Sequence, residues 1–362
     1  MNAMAFRDTE MSRRLIGAIN NRAGGLGQVR IMEVCGTHTM EIGRLGIRQL
    51  LPENIELISG PGCPVCVTPA SYFDALARLA LEKNVRIAAF GDLVRVPGNR
   101  RNGASLAQAR AGGAAIDIVS SPLAALAAAG KDGRETVFTA VGFETTAPST
   151  ASAVREAAAR KCGNLSFFVA HRLVPPALEA LCADPALNIS AFLLPGHVSA
   201  IIGEAAYGSL VKRKFPGVIA GFEPLDILAG ILSILEMIAD NNPSVKNVYR
   251  RVARKAGNAE ARELIDEAYE PCDALWRGIG TLPASGLRLR LRYRDWDAAL
   301  KFGLKIDNNE TAKGCSCGDV LKGLCRPDRC PLFGKKCTPD HPVVPCMVSS
   351  EGSCAAYSKY GW

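Results

Sequence analysis

Cysteine sets this chain apart. There are 13 in 362 residues, and seven of them fall between Cys315 and Cys354. Outside that segment the most suggestive spacing is Cys63-Pro64-Val65-Cys66. Two residues between thiols let them close as a disulfide or share a soft metal. The pair also precedes a helical stretch, where amide N–H groups and the helix dipole lower a thiol's pKa. Flanking Gly and Pro put both thiols on a tight turn, which argues against a structural pair buried in a strand. Cys35-Gly36-Thr37-His38 sets a thiol three residues from an imidazole. That spacing suits a nucleophile with its base, a pair of metal ligands, or two residues packed under a turn. If the two loops share a cleft, Cys35, Cys63, Cys66 and His38 surround one ion. Thiolates at such a place select iron, zinc or copper(I).

The C-terminal segment carries Cys315, Cys317, Cys325, Cys330, Cys337, Cys346 and Cys354 among Pro and Gly turns, with His341 as its one histidine. Four thiolates hold either structural zinc or a [4Fe–4S] cluster. Zinc sites usually show two C-x2-C knuckles, and this segment has none. The spacing therefore favours iron–sulfur, with the surplus thiols free for redox exchange. Cys162, Cys182 and Cys272 lie in Ala- or Leu-rich helical surroundings and read as inert core residues. His171 and His197 each follow a strand and read as hydrogen-bonded structural histidines. The loop holding His197 opens a helix whose amides suit an anion.

These residues need a frame, and the chain supplies an α/β one. Short β-branched runs at 31–34, 55–59, 85–90, 116–119, 136–141, 166–170, 189–194 and 217–220 alternate with helical stretches such as 69–82, 147–161, 176–182 and 198–207. Strands that are apolar throughout and separated by helices predict parallel sheets covered on both faces. The charged turn at 128–135 divides the eight strands into two groups of four. The expectation is two small parallel-sheet units, 29–130 and 131–224, facing a cleft. A mainly helical third part, 1–28 with 225–362, carries the cysteine segment. Within it 225–240 and 245–268 read as helices. Residues 287–294, LRLRLRYR, read as a strand with Leu and Tyr on one face and a solvated row of four Arg on the other. The motif loops all follow strands, and open parallel sheets bind ligands outside their carboxyl ends.

Composition narrows the function. At 48% hydrophobic and 22% charged, the chain is neither disordered, collagen-like nor a coiled coil. Forty-three Lys and Arg against 35 Asp and Glu leave +8, too dilute for a nucleic-acid protein. No apolar segment resembling a signal peptide opens the sequence. The most apolar stretch, 225–239, contains Asp226 and Glu236 and is too short for a bilayer. A cytoplasmic protein is expected, in which crowded cysteines mean metal or redox chemistry rather than a disulfide framework. There is no P-loop. Gly24-Gly25-Leu26-Gly27 precedes the first strand and fails as a dinucleotide fingerprint.

CGTH at Cys35, GPGCPVC at Gly60, GFETTAP at Gly142, PGHVSAIIG at Pro195 and CSCGDVLKG…CPLFGKKCTP…CMVSSEGSCAAY from Cys315 run in order along nearly the whole chain. Together they resemble the HypD family of [NiFe] hydrogenase maturation proteins. The resemblance implies a scaffold on which the Fe(CN)2CO group of the hydrogenase is assembled. It implies a small partner, HypC, whose N-terminal cysteine shares the iron, and a HypE–HypF pair that supplies cyanide. No nucleic acid or membrane partner is implied. Carried over by motif, Cys35, Cys63 and Cys66 surround the iron ion, with its CN and CO ligands, and His38 stands close by. The family pattern C-x14-C-x6-C-x16-C falls on Cys315, Cys330, Cys337 and Cys354 as ligands of a [4Fe–4S] cluster. Cys317 and Cys346 become a redox pair beside it, similar to ferredoxin:thioredoxin reductase, and Cys325 stands outside the pattern. Two other readings compete: a stand-alone iron–sulfur-dependent thiol–disulfide oxidoreductase and a zinc-stabilised binding module.

Overall fold

The structure, a computed structural model, describes residues 7–99, 103–307 and 312–361. All eight expected strands form: β1 (Val29–Glu33), β2 (Ile55–Ser59), β3 (Arg86–Ala89), β4 (Ile116–Ile118), β5 (Thr136–Gly142), β6 (Leu165–His171), β7 (Ala191–Pro195) and β8 (Gly217–Ala220). Every pairing among them is parallel. Their apolar, β-branched character has the anticipated cause. Every residue of β3, β5, β7 and β8 is buried, because helices or a second sheet cover both faces.

The grouping of the strands differs from the division near residue 130. One sheet has the order β2-β1-β7-β8-β9, where β9 is Val245–Asn247, and the other has β4-β3-β5-β6. The chain begins the first sheet, leaves after β2 to build the whole second sheet, and returns at β7 alongside β1. The return is fixed by the pairing of Ile31, Met32 and Glu33 with Ala191, Phe192 and Leu193. Units 29–130 and 131–224 are therefore replaced by two interleaved sheets. Strand–helix alternation looks the same within either sheet, and only hydrogen bonding between strands remote in sequence decides which become neighbours.

The described residues of 1–28 and 225–362 also do not form a separate, mainly helical part. Helices Thr9–Ala23 and Pro224–Ala239 cover the outer face of the first sheet, where Ile19, Ile31, Leu193, Val218 and Ile231 share one core. On the second sheet, Phe138 and Phe167 pack with Tyr269, Leu287 and Leu289 of an antiparallel hairpin, β10 (Tyr269–Trp276) and β11 (Gly280–Leu289). A third core lies between the sheets and runs into the cysteine segment, whose backbone is mostly short turns. The helix expected over 245–268 is confined to Ala259–Ala268, because Gly257 at φ 72° breaks the chain and Asn258 then caps the helix. The alternation expected over 287–294 holds for Leu287 and Leu289. The backbone then turns into a 3₁₀ helix at Leu291–Trp296 and leaves Leu291 77% exposed. No helix among the described residues is long and apolar enough to cross a membrane.

The topology also sets the place of the site. In the first sheet the winding reverses between β1 and β7, and in the second between β3 and β5. Loops leaving two such neighbours diverge to opposite faces and open a crevice at the carboxyl ends. Here the two crevices meet.

Candidate functional site

A cleft of about 240 Å³ lies where they meet, lined among others by Cys35, Gly62, Asp92, Thr145, His197 and Glu351. The loops after β1, β2, β3, β5 and β7 thus converge as their residues led us to expect. The loop carrying Glu351 joins them from the cysteine segment, and nothing in its spacing had singled it out.

Cys35 owes its position to the end of β1. The fully buried Glu33 carboxylate accepts from Arg48 Nη2 at 2.6 Å and from Thr39 Oγ1 at 2.7 Å. The Thr39 bond ties the strand to helix Gly36–Arg44, at whose N-cap Cys35 stands, and the Arg48 bond ties it to the following turn, Ile47–Leu50. Gly36 N–H donates to the Gly62 carbonyl at 2.8 Å. A Cβ on Gly62 would collide with the Cys35 backbone, and one on Gly36 with the Glu351 backbone. Three loops therefore cross at backbone contact, which only glycine permits. Thr37 Oγ1 fastens the third, donating to the Glu351 carboxylate at 2.9 Å.

Burial, aided by the Glu351 charge, pushes the Cys35 thiol up to about 12, so it is protonated at neutral pH. A soft cation that binds it displaces that proton. Burial also raises Asp92 and Glu351, with the Asp92 charge adding to the effect on Glu351.

His38 is not on the cleft wall. It is fully buried, and its Nε2–H donates to the Gly221 carbonyl at 2.9 Å, with the ring 4.6 Å from Phe222. Burial lowers its pKa to about 4, so the ring is neutral. Three residues past Cys35, on a helix that starts at Gly36, the side chain turns inward rather than toward the thiol. The imidazole that does line the cleft is His197, stacked on Phe222 at 4.0 Å.

The expected three-thiol iron site is also not assembled. Cys63 and Cys66 are joined as a disulfide behind the Gly62–Val65 turn, and sulfurs so bonded carry no thiolate for a metal. Of Cys35, Cys63 and Cys66, only Cys35 lines the cleft. Among the described residues no three His, Cys, Asp or Glu side chains are grouped to hold a single metal ion. The Cys63 sulfur accepts from Cys66 N–H at 3.1 Å and from the Ser349 hydroxyl at 3.3 Å.

Behind the disulfide, the short helix Pro64–Val67 packs on the 3₁₀ turn Pro345–Met347, which carries Cys346. The Cys346 and Cys317 sulfurs are 3.5 Å apart. The hydrogen bond from Cys346 and the guanidinium of Arg277 hold the Cys317 thiol down, to about 6, whereas Cys346 is raised. The expected pair is therefore brought together, and it is polarised, the Cys317 proton being the more loosely held. Cys315, Cys330, Cys337 and Cys354 gather beside it. Charges on Cys317, Cys315, Cys337 and Cys330 all act on Cys354. Ser316 N–H points to the Cys330 sulfur at 3.5 Å, and Val343 N–H to that of Cys337 at 3.4 Å. Cys325 instead donates to the Arg326 carbonyl.

The chain's motifs thus occupy one continuous structure, and comparison with known proteins gives it a family. Residues 10–361 match the HypD profile, described as the hydrogenase formation hypA family. The chain belongs to the HypD family. It is 43% identical to the hydrogenase maturation factor HypD of Rhodobacter capsulatus, over 99% of this chain and 98% of that one. It is 42% identical to HypD of Escherichia coli, over 98% and 96%, and 41% identical to HypD of Azotobacter vinelandii, over 98% and 96%. This HypD-family chain accordingly has its general role in hydrogenase maturation. Sequence reasoning missed three of its residues. Glu351 and Ser349 lie in a segment whose only conspicuous signal is cysteine, and Arg277 in a hairpin tip marked by nothing but the Gly278 and Gly280 around it.

Proposed function

We propose that this protein is the scaffold on which the Fe(CN)2CO group of [NiFe] hydrogenase is assembled, with Cys35 as the protein ligand to the iron it processes. The observation that carries this reading is the position of Cys35. Among the described residues it is the one thiol on the wall of a cleft where two sheets' reversal points meet, with Asp92, His197 and Glu351 around it. Its proton leaves only when a soft cation arrives. HypC, bringing its own thiol, and HypE with HypF as the source of cyanide are the partners this role requires.

Cys315, Cys330, Cys337 and Cys354 supply an all-thiolate donor set, and amide N–H groups aimed at two of the sulfurs suit the sulfide-rich charge of a [4Fe–4S] cluster. When bound, the cluster supplies single electrons to the sulfurs beside it. The chain's own residues then form a relay. Cys317 and Cys346 stand between that donor set and the Cys63–Cys66 disulfide, whose reduction frees two further thiols next to Cys35.

The test is infrared spectroscopy of the complex with the small partner, purified without oxygen. Cyanide and CO stretches that vanish in Cys35→Ser support the assignment, and their presence in that variant overturns it. The paired cysteine sites also suit a stand-alone thiol–disulfide oxidoreductase. That reading gains if the partner complex carries no such bands while the disulfide turns over.

A further inference from the structure

The tip of the β10–β11 hairpin touches both cysteine pairs at once. Arg277 is buried there, and its Nη1 donates to the Cys317 sulfur at 3.1 Å and to the Cys66 carbonyl at 3.2 Å. Its backbone N–H donates to the Val67 carbonyl at 2.7 Å. Gly278 follows at φ 74°, and a Cβ on it would press on the Gly318 backbone, next to Cys317. One residue of the hairpin is thus bonded on one side to the helix bearing Cys66 and on the other to the thiol of Cys317. Guanidinium suits this task, since its planar fork presents several donors in fixed directions.

The geometry points to Arg277 as the positioning residue that aims Cys317 at the Cys63–Cys66 disulfide. This rests on the relay proposed above and names the group that makes it run. The exchange balances without an outside reagent. Cys317 gives up its proton as its sulfur attacks that of Cys66, the Cys63–Cys66 bond breaks, and its electron pair leaves on Cys63, which takes up a proton. Cys63 is prepared as the leaving sulfur, since Cys66 N–H and the Ser349 hydroxyl already point at it. A stabilised leaving thiolate departs faster. Cys346 then attacks Cys317, closes the Cys317–Cys346 bond and releases Cys66. The two protons of the first pair end on the second. Arg277 forms and breaks no bond. It holds the attacking sulfur and the attacked residue in one register.

The test uses the full chain, cluster-loaded and without oxygen, in a Cys346→Ser background where the second attack is impossible. With Arg277 intact, the mixed Cys66–Cys317 disulfide accumulates and is read by acid quench, alkylation and peptide mapping. Arg277→Met slows its appearance at least tenfold, while cluster absorbance and melting temperature stay close to those of the background. Arg277→Lys, which keeps one charged donor but not the fork, recovers part of the rate. If Arg277→Met fails to fold, Arg277→Lys is compared with the background alone, and a rate equal to it overturns the inference. An unchanged rate in a folded Arg277→Met overturns it as well. Absence of the mixed disulfide with Arg277 intact overturns the relay itself.

Discussion

Cys35→Ser separates a ligand from a core residue, because the structure predicts opposite results for the two. Cys35 stands at the N-cap of helix Gly36–Arg44 with extended backbone, φ −151° and ψ 125°, and its side chain makes no capping bond. Serine is among the best N-cap residues, its hydroxyl accepting from a first-turn N–H, and such a bond is worth about 1 kcal/mol. Against this stands the loss of one buried sulfur, a contribution of similar size. The net change is therefore near zero, within about 1 kcal/mol, and a chain of this length should shift its melting temperature by no more than about 2–4 °C. Iron binding should respond very differently. A soft thiolate is replaced by a hard hydroxyl that stays protonated. The variant is expected to fold, to keep the absorbance of the cluster proposed for Cys315, Cys330, Cys337 and Cys354, and to lose the cyanide and CO bands in the partner complex. Thermal melting, visible absorbance and infrared spectra from one anaerobic preparation check all three. A fall of about twice that shift or more, with normal bands in the surviving fraction, would show that Cys35 serves packing, and the reasoning would be refuted.

Other perturbations test the frame around it. Glu33→Ala strands Arg48 beside a buried gap. Breaking a buried ion pair costs about 3–5 kcal/mol, and because Arg48 also donates to the Leu57 carbonyl the loss should lie near the lower end, read by urea denaturation. Glu144 is fully buried, and burial raises its pKa to about 7 from the usual 4.5. The folded state thus holds its proton more tightly than the unfolded one, so the stabilising contribution is complete below pH 4.5 and is lost as pH rises through 7. The stability of the native chain relative to Glu144→Gln should fall across that window by about 3 kcal/mol, and equal denaturation midpoints at about pH 5 and about pH 8 would contradict it. Cys330→Ala should abolish the visible chromophore and loosen the turns around it, whereas Cys325→Ala should do neither. Iron and sulfide analysis with circular dichroism distinguishes them, and full iron in the Cys330 variant would sink the ligand assignment.

Much of the site is legible in the residues alone. The CGTH, CPVC, GFETT and PGHVS loops are each recognisable as glycine-punctuated ends of apolar strands, and parallel sheets expose such ends on one side. That argument is local and accounts for four loops of the cleft; the fifth, with Asp92, follows β3. His38 shows its limit. Spacing alone brings it near Cys35, but a helix that starts at Gly36 turns the two side chains apart, and the imidazole goes instead to the Gly221 carbonyl. Glu351 shows another. Its value comes from a backbone crossing at Gly36, more than 300 residues away, which no periodicity records.

Residue type and short spacing were enough for the elements: eight strands at the expected places, Cys63 and Cys66 together on one turn, and a thiol-rich C-terminal segment. The chain holds that information locally. Which strands became neighbours, and which sulfurs face one another, depends on the packed molecule. β7 joins β1 through hydrogen bonds between segments 160 residues apart, from Ile31 to Ala191, and that choice makes the two reversal points meet. It also brings the hairpin tip at Arg277 between Cys66 and Cys317, three segments that share nothing in the linear chain. Such contacts follow from the filling of the common core between the sheets, and close packing is a property of the whole chain rather than of any stretch within it.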